Sequence, residues 1–182
     1  MLKSKLLELL FKTDDSVYAV LDGALNEELF FTLTVMLNEL PYISLYVGED
    51  RENLEEVAPY LVELEKESEL TDWILKNYNE EWGFFIQSPH NLETIHEELY
   101  QRAKIIDETT NQNIFIRFYD PRATEKYIKL QTKEELEELF EVAPTIFYAN
   151  SEDKEFINRV TLKDEAINIE SIDIKEVKYE IF

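Results

Sequence analysis

Apolar and polar positions along this chain fall into short blocks whose period changes every ten residues or so. Val17, Tyr18, Ala19, Val20 and Leu21 form an unbroken apolar run closed by the turn pair Asp22-Gly23, and so read as a buried strand. Asn26 is placed to cap a helix over 27–40. Glu27 and Glu28 lie in its favoured first turn, Leu29, Leu33, Met36, Leu37 and Leu40 keep helical spacing, and Pro41 stops it. Further strands are expected over 43–47, 58–64, 81–86, 113–119 and 144–148, the last as the final strand of the main body. Further helices are expected over 68–78, over 92–103 with Ser88-Pro89-His90-Asn91 supplying its turn and cap residues, and over 122–130 and 133–140. The last of these carries a capping-box pattern, Thr132 followed three places on by Glu135. The acidic segment 49–57 reads as loop or a short helical turn, and the N-terminal stretch through Phe11 as an amphipathic helix.

Strands alternating with helices predict an α/β fold, a mostly parallel or mixed sheet covered by helices. The body is expected to occupy 1–149. From Asn150 the texture changes, with a helix expected over 151–159. Beyond it, 168–182 alternates Ile and Val with Asp, Glu and Lys. The segment 150–182 therefore reads as a C-terminal appendage able to dock a partner, with its tail open as an edge strand, a hairpin arm or an amphipathic docking element.

Charge narrows the function. Against 18 Lys and Arg stand 40 Asp and Glu, a formal net charge of −22. Such a surface repels phosphate backbones and anionic lipid heads, so neither nucleic acid nor a membrane is expected as partner. It favours solubility and can steer a basic partner inward. The absence of cysteine excludes disulfides, thiolate nucleophiles and cysteine metal sites. The leucine-rich start resembles a signal peptide only superficially: Glu8 interrupts it, Lys12 and Asp14 close it, and no small-residue cleavage site follows. No apolar stretch approaches the roughly 20 residues that span a bilayer. A cytoplasmic protein is the expectation.

No set of catalytic groups stands out. The three isolated glycines build neither a nucleophile elbow nor a phosphate loop. His90 and His96 lie six apart, a spacing that misaligns them on a helix, so even with Glu93 or Glu97 as a third ligand they read as surface residues. Glu134-Glu135 and Glu137-Glu138 recur beside leucines in the manner of a solvated helical face. Glu49-Asp50-Arg51-Glu52 has neither the ligand order nor the glycine of a calcium loop. No metal and no cofactor is expected. Two polar features remain. Asp22-Gly23 ends the first strand, and Arg117 sits among Phe115, Phe118 and Tyr119, where partial burial would require a carboxylate. Asp22 and Asp120 are the candidates, and a planar bidentate pair would tie strand ends together.

Four blocks together carry a resemblance. They are Tyr18-Ala19-Val20-Leu21-Asp22-Gly23-Ala24, Ala58-Pro59-Tyr60-Leu61-Val62, Trp82-Gly83-Phe84-Phe85-Ile86-Gln87-Ser88 and Arg117-Phe118-Tyr119-Asp120-Pro121-Arg122. In order and spacing they resemble the family called domain of unknown function 4123, whose members are adaptor chaperones of the bacterial type VI secretion system. The resemblance implies a non-enzymatic protein that binds a secreted effector in the cytoplasm and helps load it onto the spike protein. It carries over Asp22, Gly23, Pro59, Tyr60, Trp82, Gly83, Arg117, Tyr119, Asp120, Pro121 and Arg122, most expected to shape the fold and some to touch a partner. An adaptor of this kind is expected to offer an apolar or aromatic groove with an acidic rim. Two alternatives stay open: an acidic immunity protein that neutralises a basic toxin, and a carboxylate-dependent hydrolase.

Overall fold

The apolar run at 17–21 becomes a central strand of a seven-stranded sheet. The computed structural model describes residues 2–107, 109–110 and 112–175. In chain order the elements are α1 (Leu2–Leu10), β1 (Ser16–Asp22), α2 (Leu29–Phe31) running into a π-helical turn (Thr32–Met36), β2 (Tyr42–Ser44) and α3 (Gly48–Leu54). Then come β3 (Pro59–Leu64), α4 (Glu69–Lys76), β4 (Gly83–Ser88), α5 (Leu92–Ala103), β5 (Lys104–Asp107) and β6 (Gln112–Phe115). The chain continues with α6 (Pro121–Leu130), α7 (Lys133–Val142), β7 (Thr145–Ala149), β8 (Phe156–Lys163) and β9 (Ala166–Asp173). Among the described residues no helix is long and apolar enough to cross a membrane.

The expected parallel or mixed sheet does not form. The strand order is β2-β3-β1-β4-β7-β8-β9, and every hydrogen-bonded neighbour is antiparallel. The reason lies in β1. Since β3 and β4 each pair antiparallel with β1, they run parallel to each other, and α4 joins them by a crossover. But β1 fills the slot between them. Alternation of strands and helices reports that connections cross over; it does not report whether the strands so connected are neighbours.

Burial on both sides does follow from the apolar runs. Six of the seven β1 positions are buried. Its odd-numbered residues Val17, Ala19 and Leu21 pack with Leu6 and Leu10 of α1, Leu29 of α2, and Leu70, Ile74 and Leu75 of α4. Tyr18 and Val20 face Leu92, Ile95 and Leu99 of α5, Ile128 of α6, and Leu136, Leu139 and Phe140 of α7. Three layers result, helices on either side of one sheet. The helix ends keep their sequence signals: Asn91 Oδ1 accepts from Thr94 N at 3.0 Å, and the Thr132–Glu135 capping box is closed in both directions.

Three other expectations change. The helix over 27–40 is brief, because the bond from Leu37 N to Thr32 O at 2.8 Å widens its last turn to π geometry. Less rotation per residue carries Met36 off the apolar face, where it is 61% exposed. The strand expected over 113–119 stops at Phe115 and pairs with β5 in a separate two-stranded sheet. In place of a helix over 151–159 the chain turns and enters β8, so β8 and β9 extend the main sheet beyond β7 as a hairpin whose outer arm is an edge strand. Of the tail that was open to three readings, residues 168–173 belong to that edge strand, and 176–182 lie outside the described residues.

Candidate partner-binding site

Pairing register collects the distant sequence blocks at one end of the sheet. Asp22 stands opposite Pro59, and Leu21 opposite Gly83. Asp22, Gly23, Pro59, Tyr60, Trp82 and Gly83 thus lie together where β1 ends and β3 and β4 begin. Most of them serve the backbone. Gly23 N donates to Ala58 O at 3.1 Å, and a Cβ on Gly23 would lie 2.6 Å from that same oxygen. A Cβ on Gly83 would run into the backbone of Val20. Both glycines are there because two chains approach too closely for a side chain. Trp82 Nε1 donates to Asn77 O at 2.9 Å, and its ring meets Trp73 edge-on at 5.2 Å. Tyr60 donates its hydroxyl to Glu55 O at 2.8 Å, and burial pushes its phenol up to about 12.

The fourth block is a loop plugged into this end. Phe118 and Tyr119 are buried. Phe118 packs against Phe84, Tyr119 and Tyr127 at centroid distances of 6.1, 5.4 and 5.2 Å. The hydroxyls of Tyr119 and Tyr46 meet at 3.3 Å, and Tyr46 leans on Phe115 at 4.6 Å. Asp120 then caps α6, accepting from Arg122 N at 3.0 Å, while Pro121 takes the first helical position, where a missing N–H is no loss. Arg122 folds back on the same carboxylate, Nε at 2.9 Å and Nη2 at 2.6 Å on its two oxygens. The R-F-Y-D-P-R string is therefore a self-capped helix entry with two buried rings.

Arg117 reaches across to Asp22, as expected of one of its two candidate carboxylates, but with the burial reversed. Asp22 is the enclosed partner at 1% exposure, whereas the Arg117 side chain is 44% exposed. The strand that would have enclosed the guanidinium ends before it. Nor is the pair a bidentate fork: Nε, at 3.1 Å, and Nη2 both donate to Oδ2, while Oδ1 accepts from Ala24 N at 3.0 Å. Burial pushes the Asp22 carboxyl up, and the Arg117 bond, its charge and the Ala24 amide offset this only in part. Asp120 behaves oppositely. Burial would raise it, but the bonds and charge of Arg122, with Arg117 beyond, hold it below the usual carboxylate range.

Beside this cluster the surface opens into an apolar groove of about 330 Å³. Phe115, Ile116, Phe118, Ala123, Tyr127 and Leu130 line it together with Arg117 and Lys126. The charged residues among its lining are cations, where an adaptor groove was expected to carry an acidic rim. Next to it the β5–β6 hairpin shows Ile105, Ile106 and Ile114 to solvent at 48, 62 and 42% exposure, and Leu130 is 71% exposed. Sequence reasoning missed β5, Lys126, Tyr127 and Leu130. The β-branched pair in Lys104-Ile105-Ile106-Asp107 is the signal that marks the missed strand. The two histidines lie elsewhere: His96 Nε2 sits 2.9 Å from Ser44 O, and the His90 carbonyl accepts from Tyr18 Oη at 2.8 Å. Among the described residues no group of three His, Asp or Glu is placed to hold a metal.

One family model, described as "Domain of unknown function (DUF4123)", matches residues 17–138. The chain belongs to that family. The DUF4123 match begins at β1 and ends within α7, so it takes in the whole motif cluster and the groove, while β7, β8 and β9 follow it. No curated protein and no solved structure matches the chain.

Proposed function

We propose that this DUF4123 protein is a non-enzymatic adaptor that holds a type VI secretion effector in the cytoplasm and assists its loading onto the spike protein. The observation that carries the reading is the apolar groove and its flanking exposed isoleucines, set against the sheet end where the four sequence blocks converge. Exposed apolar surface gathered in one place is a mark of partner binding. Two carboxylates beside this sheet end have structural partners: Asp22 is engaged by Arg117 and Ala24 N, and Asp120 caps α6 and holds Arg122.

The test is co-purification. The tagged chain is expressed with each effector and spike protein encoded beside it, and one effector is expected to stay bound through gel filtration. Failure to retain any of them would sink the adaptor reading.

A further inference from the structure

The groove is an exception to the charge of the molecule around it. With 40 acidic against 18 basic residues, a randomly chosen rim would be acidic. Instead both charged groups lining it are cations. Arg117 is held in place by the buried Asp22, which takes its Nε and Nη2, leaving Nη1 without a hydrogen bond among the described residues. Lys126 is exposed on α6 and has no carboxylate within ion-pair distance among the described residues, unlike its neighbours Lys129, bonded to Glu125, and Arg122, bonded to Asp120. The groove thus offers one cation without a counter-charge among the described residues, Lys126, and one guanidinium that is paired from behind by Asp22 but keeps Nη1 as a donor toward the groove.

The geometry points to an occupant of defined chemistry: a partner segment that places bulky apolar side chains on the Phe118–Tyr127 floor and carboxylates against Arg117 and Lys126. At about 330 Å³ the groove is at the small end of ligand clefts, roughly 300–1,000 Å³, and fits one or two side chains of a peptide. Charge then acts at two ranges. The overall −22 draws in a partner that is basic at a distance, and the groove selects an acidic, apolar stretch within it once contact falls inside the screening length of about 10 Å. This inference deepens the adaptor reading by naming what the groove recognises, and it rests on that reading only for the identity of the partner.

The experiment uses the full chain and three short fluorescein-labelled peptides that share the same Leu and Phe positions and carry Glu, Gln or Lys between them. The Glu peptide is expected to bind in fluorescence anisotropy, the Gln peptide about tenfold more weakly, and the Lys peptide more weakly still. Lys126→Glu, at an exposed position on α6, is expected to lower affinity for the Glu peptide about tenfold, and Leu130→Ser to weaken all three. Arg117→Gln should act as Lys126→Glu does; should it fail to fold, Lys126→Glu decides alone. Equal binding of the Glu and Lys peptides, unchanged binding by Lys126→Glu, or binding of none of the peptides overturns the inference. The adaptor reading fails separately. An effector retained equally by wild type and Lys126→Glu removes the groove from the account and leaves the adaptor, whereas an effector never retained by wild type removes the adaptor.

Discussion

β8 and β9 pair over eight positions, from Phe156 opposite Asp173 to Lys163 opposite Ala166, whereas β5 and β6 pair over four. Both are antiparallel arms rich in isoleucine. The longer arm attaches to β7 and so inherits a sheet with helices over it: Ile157 and Val160 are fully buried, and Ile167, Ile169 and Ile172 pack against the two core clusters. Among the described residues the shorter arm has no third strand, and Ile105, Ile106 and Ile114 are exposed. The same residue type is thus core in one arm and exposed surface in the other, and the neighbouring strand makes the difference. A two-stranded ribbon is marginal by itself. The short arm is therefore held by its ends, Lys104 by Asp50 at 2.5 Å and Ile116 N by Ala103 O at 2.9 Å, which leaves its face available to a partner.

The sharpest way to break this comparison is to weaken the long arm. Ile157→Ala should lower unfolding stability by about 3 kcal/mol, read from urea denaturation, as expected for an isoleucine buried at 0% exposure. A loss under about 1 kcal/mol would show the arm to be separate from the core. Next comes the pair that anchors the loop after the short arm. Arg117→Met strands the buried Asp22 carboxylate and should cost about 2 kcal/mol, less than the roughly 3–5 of a fully enclosed pair because water reaches the arginine side. Asp22→Asn removes the buried charge as well, keeps an acceptor for Ala24 N, and should cost less than Arg117→Met. Unchanged melting of Arg117→Met would refute the ion-pair account.

Acid titration separates the two carboxylates. Asp22 is raised in the fold, so its contribution is complete below the ordinary carboxylate value and is lost as pH rises through its folded value. Asp120 is depressed, so its contribution is present above the ordinary value and is lost as pH falls through its folded value. Relative to wild type, Asp22→Asn should flatten the stability loss between acid and neutral pH, and Arg122→Gln should flatten the loss on further acidification. Melting curves across that range check both, and like-signed effects would contradict the assignment. The smallest effect belongs to the short arm. Ile106→Thr should leave stability within about 0.5 kcal/mol and still reduce effector retention. A large melting shift would make Ile106 structural and erase the contrast between the arms.

Much of the local structure was legible because local signals were not overruled. The run at 17–21 and the Asn91 and Thr132 caps appear at the positions their sequence implies, whereas for Arg117 the sequence left two carboxylates open and put the burial on the wrong partner of the pair. Strand direction was not legible, because β1 slips between two strands joined by a helical crossover, a fact of topology with no local trace. The 27–40 helix failed at Thr34, whose hydroxyl bonds the Phe30 carbonyl at 2.7 Å within a widened turn. Of the candidate site, the framework residues could be read and the groove could not. Its lining comes from β6, the following loop and α6, and its cations matter only because other residues leave them unengaged.

The position of β1 between β3 and β4 also sets an order of events during synthesis. Val17 must wait for Leu64, and Ser16 for Ser88, before each meets its partner. This apolar strand therefore leaves the ribosome early, and its second edge stays unpaired until about a third of the chain has followed it. Contacts of such long sequence separation form slowly. A chain truncated before Ser88 keeps this strand bare along one edge and should associate with its own copies, and the nascent chain itself becomes a client for holding factors in the cell.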